Sequence, residues 1–294
     1  MTIIAIIIPT YNRKSSLNKV LSDIVCQDLA LNIIIKIIVV VDGSTDGTIE
    51  MILEKFPEVH MVYGDGSWFY TKSMNEGFKY ALEYLNPDLF LTMNDDTEVG
   101  LNFIKNMLEG YDKTKQPSLI GAMSVTLQSP ERVITSGSYL SNKLFGKVKN
   151  YIPIFSEVSG FQFNNELKAS QILPGRGMLI PKSALTDVGL FDEKFRQYHS
   201  DSDFCLRAKK KGFNVYTYWG AKVYVHHEMT GKGTSFKKES FPSFVKNFFN
   251  DTSRLYLPAM ARYKWRHASK ILWVVNMVLF MGVSIRNHFF KRKH

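Results

Sequence analysis

Aspartate side chains follow three of the first four apolar runs in the sequence. Asp42 ends the run before Gly43, Asp65 follows the next run, and Asp95 and Asp96 follow the run after that. The carboxyl ends of neighbouring parallel strands meet at one edge of a sheet, so we expect these carboxylates to lie together there. Asp-Gly is also a common turn, and Asp42 and Asp65 taken singly are as readily explained as turn residues. Their shared position after each run favours a ligand-binding edge.

The sequence offers no glycine-rich loop for a phosphate group. Neither GxGxxG after the first apolar run nor GxxxxGK[ST] occurs. A diphosphate bound at this edge would need another counter-charge. A divalent cation held by carboxylate oxygens supplies one, because Mg²⁺ and Mn²⁺ prefer oxygen ligands and bridge phosphate groups. Asp96 is the best placed ligand, so we predict Mg²⁺ or Mn²⁺ as the cofactor.

A second acidic pair, Asp201 and Asp203, opens a predicted helix. Carboxylates suit the N-terminus of a helix electrostatically, which predicts a structural role for one of the two. Residues two apart on a helix do not share a face, so we expect one in a cleft and the other against a base such as Arg207. A carboxylate in a partly closed cleft can act as a general base.

Strands and helices must alternate to bring these side chains together. Apolar runs predict strands over 3–8, 33–41, 59–63 and 89–93, and helical spacing predicts helices over 15–27, 46–56 and 71–85. This alternation predicts βαβ units and a parallel sheet with helices on both faces. Further along we predict strands over 119–126, 132–136, 177–180, 215–218 and 221–225, helices over 182–188 and 201–211, a hairpin or insertion over 139–170, a polar loop over 227–239, and helix beyond 241.

Six segments of the chain resemble, in this order, one known family. They are 7–13, which ends in Pro9-Thr10-Tyr11-Asn12-Arg13, and then 42–48, 75–77, 94–96, 189–193 and 201–207. The chain resembles the family 2 glycosyltransferases, inverting enzymes with the GT-A fold, over roughly residues 3–227. The resemblance implies an α/β catalytic domain over 1–240. In it a Rossmann-like nucleotide-binding sheet (1–98) joins an acceptor half with a mixed sheet (99–240), and a basic C-terminal helical segment (241–294) follows.

The resemblance also implies a metal-assisted single displacement. Asp201 matches the catalytic base, which takes the proton from an acceptor hydroxyl, and Asp96 matches the direct ligand of Mg²⁺ or Mn²⁺. Asn94 stands where the family has the first Asp of its DxD motif, and Ser200 stands where it has a Glu before the base. The implied nucleotide-binding residues are Pro9, Thr10, Tyr11, Arg13, Asp42, Asp65, Asn75 and Asp95.

Weaker candidates surround this set. The resemblance implies that His226 or His227, with His226 preferred, contacts the metal or the diphosphate; a surface histidine at a strand end is the alternative. Trp68 could stack on a sugar or pack in the core. Arg176 could bind a phosphate or form an ordinary ion pair, and Asp203 could contact a donor or acceptor sugar.

The net charge of +10 is concentrated at the C-terminus. Residues 252–294 carry nine Lys or Arg and no Asp or Glu, whereas residues 1–251 are close to neutral. The apolar stretch 271–285 would span roughly 22 Å as a helix, short of the ~30 Å hydrocarbon core of a bilayer. Its basic and aromatic flanks predict a helix in the interface of an anionic membrane; packing on the catalytic domain or an oligomer contact is the alternative. Nucleic acid is not expected, because the charges flank an apolar run.

Together these features predict a hexosyl- or deoxyhexosyltransferase that moves a sugar from a nucleoside-diphosphate sugar to a hydroxyl of a lipid-linked or polymeric cell-surface glycan. Cys26 and Cys205 have no metal-ligand spacing, and the N-terminus lacks the basic region of a signal peptide. We therefore expect a cytoplasmic, peripheral enzyme on the inner face of the plasma membrane. One alternative is a non-catalytic sugar-nucleotide or glycan-binding module. The other is a nucleotidyltransferase, but enzymes of that class usually carry a Gly-rich basic loop, and residues 9–13 do not form one.

Overall fold

The computed structural model describes residues 1–142, 144–145, 147–162, 165–226 and 240–290. The strands are β1 (Thr2–Thr10), β2 (Ile33–Asp42), β3 (His60–Gly64), β4 (Leu89–Thr92), β5 (Thr97–Val99), β6 (Ser118–Thr126), β7 (Val133–Thr135), β8 (Ser138–Asn142), β9 (Lys147–Asn150), β10 (Leu167–Ala169), β11 (Met178–Pro181) and β12 (Asn214–Val225). The helices are α1 (Lys14–Val25), α2 (Thr48–Lys55), α3 (Phe69–Tyr84), α4 (Phe103–Asp112), α5 (Lys182–Val188), α6 (Ser200–Lys210), α7 (Phe241–Lys246), α8 (Leu257–His267) and α9 (Trp273–Phe290).

Ten strands form one mixed sheet in the order β10-β12-β6-β11-β4-β1-β2-β3, with β5 beside β12 and β7 beside β6. Strands β4, β1, β2 and β3 are parallel, as the alternation of strands and helices predicts. Strand β11 runs antiparallel to both β4 and β6 and so connects the parallel part to the second half of the chain. The predicted α/β class is confirmed, and a single sheet contains strands from both sides of residue 98.

Strand β1 shows why the first half folds as a layered α/β structure. Its residues 4–8 are apolar and fully buried, because the strand is covered on both faces. Ile4, Ile6 and Ile8 belong to the same core cluster as Leu17 of α1. Ala5 and Ile7 point the other way and share a cluster with residues of α3, α5 and α6. Because side chains alternate between the two faces of the strand, β1 packs against a separate helical layer on each face.

The second half departs from the predicted elements in three places. Strand β5 and helix α4 were not predicted, although Phe103, Ile104 and Met107 of α4 are buried at helical spacing. The two strands expected over 215–225 form one strand, β12, whose register with β6 shifts between Tyr218 and Lys222. A hairpin of β8 and β9 lies within 139–170, as predicted. The loop predicted over 227–239 lies outside the described residues.

The basic C-terminal segment is joined by ion pairs to helix α6 and to the segment that precedes it. Arg262 and Arg266 of α8 both contact Asp192, at 2.7 and 2.8 Å, and Arg266 also contacts Asp203 of α6 at 2.6 Å. His267 places its Nε2 2.7 Å from the same Asp203 carboxylate. The prediction that the charge of 252–294 serves a membrane therefore needs correction for α8, because Arg262 and Arg266 pair with Asp192 and Asp203.

Helix α9 packs on α8 but leaves much of its apolar surface uncovered. The Trp273 indole donates to the carbonyl of Ala261 at 3.0 Å, and the Asn276 amide donates to the carbonyl of Leu144 at 3.1 Å. Nine apolar side chains of α9 are exposed: Val274, Val275, Val278, Leu279, Met281, Val283, Ile285, Phe289 and Phe290. Within the part of the chain that the structure describes, none of the helices has the length and hydropathy that a membrane crossing requires.

Candidate functional site

A cavity of about 850 Å³ lies at the carboxyl ends of β1, β2 and β4. The loop before β11, the residues that lead into α6, and the segment between α7 and α8 complete its wall. This is the edge at which the sequence placed its carboxylates, as expected of a parallel sheet. The cavity is lined by nine of the predicted site residues: Pro9, Thr10, Tyr11, Arg13, Asp42, Asp95, Asp96, Arg176 and Asp201.

Arg13 connects the loop after β1 to the two carboxylates after β4. Its Nη1 lies 3.1 Å from Asp95 Oδ1 and 2.8 Å from Asp96 Oδ2. The Thr10 hydroxyl donates to Asp95 Oδ2 at 2.8 Å. Burial raises the pKa of Asp95 to about 6, and the nearby Arg13 charge opposes this shift. Asp95 is therefore a buried, doubly hydrogen-bonded group that fixes the loop after β1.

Asp42 organises the loop that follows β3. Its two carboxylate oxygens accept the backbone N–H groups of Gly66, Trp68 and Phe69 at 2.8, 2.9 and 3.0 Å. Gly66 has φ +87°, and a Cβ on the neighbouring Gly43 would lie 2.7 Å from the Gly66 nitrogen. The two glycines therefore permit the close approach of the two loops at this edge.

Asp201 lies in the first turn of α6 with its carboxylate at the cavity wall. Its Oδ2 accepts the Gly175 N–H at 2.9 Å, and its Oδ1 accepts the N–H of Ser202 at 2.6 Å. The preceding Ser200 is buried, and its hydroxyl accepts a hydrogen bond from Thr71 of α3 at 2.8 Å. Ser200, at the position of the family's Glu, therefore connects α6 to α3.

Among the described residues, four polar atoms on the cavity wall are shielded from solvent and have no hydrogen-bond partner. They are Tyr70 Oη, Asn94 Oδ1, Asp96 Oδ1 and Arg176 Nε. Buried polar atoms are nearly always satisfied in folded proteins, so a cluster of unsatisfied ones points to groups that a ligand would supply. Burial raises the pKa of the Tyr70 hydroxyl well above its usual value, which keeps this group a hydrogen-bond donor.

The same atoms test the fit of a divalent cation. Asp96 Oδ1 and Asn94 Oδ1 are two oxygens that could bind a metal ion, and neither has a hydrogen-bond partner among the described residues. No group of three or more His, Cys, Asp or Glu side chains suited to a metal occurs among the described residues. Mg²⁺ is usually held by only one or two protein carboxylates together with water and substrate phosphates. The residues present fit a cation that binds together with a phosphorylated substrate.

Two of the predicted contact residues lie away from the cavity wall. Asp203 is fully buried on the other side of α6, where Arg207 contacts it at 2.7 Å alongside Arg266 and His267. Its proposed contact with a sugar is therefore replaced by the pairing with Arg207 that the helix spacing also predicted. His226 places its Nε2 2.9 Å from Glu98, and its predicted companion His227 lies outside the described residues.

Three further predicted residues stabilise loops near the site. The Asp65 carboxylate accepts the N–H and hydroxyl of Ser67, at 2.9 and 2.6 Å, which is the turn alternative considered for it. The Asn75 amide exchanges hydrogen bonds with the backbone of Phe191, at 2.9 and 3.0 Å. Trp68 is half-buried and carries the Lys72 ammonium 4.7 Å above its ring. None of the three lines the cavity.

The structure adds lining residues that sequence reasoning missed. Tyr198 and Arg254 face the cavity, and the Arg254 guanidinium lies 4.8 Å above the Tyr198 ring. Tyr70 also lines the cavity, although of the aromatic residues that follow Gly66 only Trp68 was predicted as a contact. From the sequence, Arg254 was recognised only as one of the basic residues of the C-terminal segment, because no local motif distinguishes this arginine from its neighbours.

Two solved structures illustrate the similarity in fold. The crystal structure of S. aureus TarS matches with a TM-score of 0.53 and 16% identity, covering 77% of this chain and 37% of that one. The crystal structure of GalNAc-T7 with UDP, GalNAc and Mn²⁺ matches with a TM-score of 0.62 and 10% identity, covering 98% of this chain and 58% of that one. At these identities the likeness concerns the fold, and it confirms the predicted GT-A type.

Two archaeal enzymes are similar in sequence. The low-salt glycan biosynthesis hexosyltransferase Agl10 of Haloferax volcanii is 23% identical over 184 residues, which are 60% of this chain and 54% of that protein. The dolichyl N-acetyl-alpha-D-glucosaminyl phosphate 3-beta-D-2,3-diacetamido-2,3-dideoxy-beta-D-glucuronosyltransferase of Methanococcus voltae is 27% identical over 232 residues, 74% of this chain and 64% of that protein. This chain thus spans less than two thirds of the length of either relative.

The family model described as glycosyl transferase family 2 matches residues 5–162, more than half of the chain. The matched range contains the loop after β1, Asp42 and the Asn94-Asp95-Asp96 segment, all of which line the cavity. The order of motifs in the sequence, the sheet topology and these comparisons agree. The chain belongs to glycosyl transferase family 2.

Proposed function

We propose that this glycosyltransferase moves a sugar from a nucleoside-diphosphate sugar to a hydroxyl of a lipid-linked or polymeric glycan, with inversion at the anomeric carbon. The observation that carries the proposal is that Asp96 and Asp201 line the same cavity, although they come from different halves of the chain. A site for the departing diphosphate and a base for the incoming hydroxyl are thereby provided on one wall.

Asp201 is proposed as the general base. Its two carboxylate oxygens each accept one backbone N–H, which fixes the orientation of the group while leaving further lone pairs toward the cavity. The acceptor oxygen would attack the anomeric carbon as its proton passes to Asp201, and the bond from that carbon to the diphosphate oxygen would break. One displacement of this kind inverts the anomeric centre.

The donor would occupy the edge formed by the loops after β1, β2 and β4. Thr10, Arg13 and Asp95 hold one another through hydrogen bonds, so the loop that would face the nucleotide is fixed before binding. Asp96 and Asn94 would hold Mg²⁺ or Mn²⁺. Such an ion offsets the negative charge that develops on a leaving diphosphate.

The proposed acceptor class rests on relatives and on the C-terminal segment. The Methanococcus voltae enzyme acts, by its name, on a dolichyl-linked sugar phosphate, and the Haloferax volcanii enzyme serves glycan biosynthesis. Helix α9 exposes an apolar surface flanked by Lys270 and Arg286, a composition that suits the interface of an anionic membrane. We propose peripheral membrane binding through α9, chiefly by its apolar area, because Arg262 and Arg266 are held by Asp192 and Asp203.

The catalytic proposal is tested by incubating the purified chain with Mn²⁺ and a panel of nucleoside-diphosphate sugars. Release of nucleoside diphosphate, in the presence of polyprenyl-linked or oligosaccharide acceptors, identifies the donor, and NMR of the product gives its anomeric configuration. We expect inversion. Retention of configuration would contradict the displacement mechanism. Donor binding without either hydrolysis or transfer over the whole panel would favour a non-catalytic binding module.

Membrane binding is tested by sedimentation with vesicles of phosphatidylcholine, alone or with phosphatidylglycerol. We expect the anionic vesicles to retain more protein, and Val278→Asp to release it. Leu53→Asp is the matched control, because Leu53 of α2 is similarly exposed, 60% against 63% for Val278. Equal retention of the two variants would contradict the proposal, as would a stable dimer that loses its association only with Val278→Asp.

A further inference from the structure

Two arginines on the cavity wall have no ion-pair partner among the described residues. The cavity also contains Arg13, but that guanidinium is engaged by Asp95 and Asp96. Arg176 and Arg254 line the same cavity, and no carboxylate lies within ion-pair distance of either in the part of the chain described. Guanidinium groups remain charged in proteins, so two of them without an ion pair in a cavity favour the binding of an anion there.

Arg176 is fixed beside the proposed base by a glycine-rich loop. The preceding Gly175 donates its N–H to Asp201 Oδ2 at 2.9 Å, and Gly177, at φ +71°, donates its N–H to the Thr92 carbonyl at 2.7 Å. The Arg176 Nε is shielded and has no hydrogen-bond partner. Burial lowers the pKa of Arg176, the negative charges of Asp96 and Asp201 oppose this shift, and the positive charge of Arg254 acts in the same direction as burial.

Arg254 is brought to the cavity by the C-terminal segment. Asp251 pairs with Arg196 at 2.5 Å, and His199 Nε2 lies 3.3 Å from the Arg254 carbonyl oxygen. These contacts hold the backbone of the segment against the residues that lead into α6. The Arg254 side chain itself is exposed and lies over the Tyr198 ring, with no ion-pair partner in the described part of the chain.

The carboxylates of the cavity compensate these charges only in part: the charges of Asp96 and Asp201 act on Arg176, but neither carboxylate lies within ion-pair distance of it in the part of the chain described. Asp42 is occupied by three backbone N–H groups, and Asp95 by Thr10 and Arg13. A phosphoryl group is the anion whose geometry best matches the planar fork of an arginine, and two arginines can share its oxygens. The unpartnered Tyr70 hydroxyl on the same wall offers one further donor.

We propose that Arg176 and Arg254 together bind a phosphoryl group in the cavity, and that the C-terminal segment is in this way part of the substrate site. The inference rests on the proposed function, which supplies two sources for the group: the diphosphate of the donor and a phosphate of a lipid-linked acceptor.

The test compares the full chain with Arg254→Gln, Arg254→Lys and Arg176→Gln, and with Arg132→Gln as the matched control. Arg132 is exposed, pairs only loosely with Glu157 at 3.8 Å, and does not line the cavity. Calorimetry in the presence of Mn²⁺ compares the affinity for nucleoside diphosphates with the affinity for the corresponding nucleosides. A second arm measures binding of farnesyl phosphate against farnesol in detergent micelles, and inorganic pyrophosphate serves as a probe that needs no base.

We expect Arg254→Gln to weaken one phosphorylated ligand about tenfold to a hundredfold, as the loss of a charge-assisted hydrogen bond implies, without affecting the unphosphorylated partner. The affinity of Arg254→Lys for the phosphorylated ligand should lie between those of the wild type and Arg254→Gln, because lysine keeps the positive charge but lacks the planar guanidinium group. The arm that responds identifies the source. If neither arm nor pyrophosphate distinguishes Arg254→Gln and Arg176→Gln from Arg132→Gln, the inference is overturned. Failure of the wild-type chain to bind any nucleotide, with pyrophosphate binding still dependent on Arg254, would instead overturn the proposed donor.

Discussion

The two sides of α6 use aspartate in opposite ways. On the cavity side, Asp201 accepts two backbone N–H groups and meets no cationic side chain within ion-pair distance among the described residues. On the other side, Asp203 is fully buried and is contacted by Arg207, Arg266 and His267. Burial alone would raise the pKa of Asp203, but these hydrogen bonds and charges outweigh it and lower the pKa to about 2.

The difference teaches that a carboxylate's role depends on how many donors surround it. A carboxylate whose charge is fully compensated stabilises a fold but cannot readily take a proton. One that is oriented by backbone groups and faces a cavity keeps that capacity. At the sheet edge, Asp42 is held by three backbone N–H groups, whereas Asp96 pairs with Arg13 through Oδ2 and keeps Oδ1 without a partner among the described residues.

The largest expected effect is on the cavity side of α6. Asp201→Asn keeps the shape of the side chain and an oxygen for the Gly175 N–H, but it cannot accept the proton of the acceptor hydroxyl. We expect the turnover number to fall by roughly 10³-fold, the scale of a general base, while donor affinity and melting temperature stay close to wild type. Steady-state kinetics with the identified donor, together with calorimetry, measure both. Turnover near the wild-type rate would remove Asp201 from the chemistry.

Metal removal examines the second cavity-facing carboxylate. We expect EDTA to lower transfer at least roughly tenfold and Mn²⁺ or Mg²⁺ to restore it, since the cation would offset the diphosphate charge. Asp96→Asn should reproduce the loss and make it insensitive to added Mn²⁺, whereas the exposed Asp187→Asn should behave as wild type. Full activity in EDTA would exclude a required metal at Asp96.

On the other side of α6 the effect should fall on stability. Asp203→Asn leaves the arginines and histidine around it without their buried counter-charge, and we expect a loss of about 3 kcal/mol in the free energy of unfolding. Asp187→Asn, at an exposed position of α5, is the control. Denaturant unfolding measures the difference. If Asp203→Asn abolished turnover at unchanged stability, the division between the two sides of α6 would be wrong.

The smallest expected effect is a difference in acid sensitivity. Because the folded-state pKa of Asp203 lies below its ordinary value of 3.8, its ionised form stabilises the fold. That contribution, about 2 kcal/mol, is present in full above about pH 4 and is lost as the pH falls through the folded-state value near 2. Unfolding free energies measured from pH 5 to 2 should therefore fall more steeply for wild type and Asp187→Asn than for Asp203→Asn. Parallel curves would contradict the charged network.

Much of the donor side could be predicted from sequence because its information is local. Each strand of the first half is a short apolar run, and the polar residues that follow it must emerge at the same sheet edge. Asp42, Asp95 and Asp96 were placed in this way, and Thr10 and Arg13 by the family resemblance, and all five line the cavity; Asp65, placed like the first three, does not. The helix spacing also separated Asp201 from Asp203, and the predicted pairing with Arg207 is confirmed.

The sequence by itself thus determined the α/β order, the family and the edge at which the carboxylates collect. Only the tertiary structure decided that α8 covers Asp203 and that Arg262 and Arg266 of this helix pair with acidic side chains. It also decided that Arg254 reaches the cavity. The physical reason is that a side chain's charge and orientation depend on the partners that folding brings to it. For Arg254, Arg266 and Asp203 those partners are far away in sequence, and no local periodicity records them.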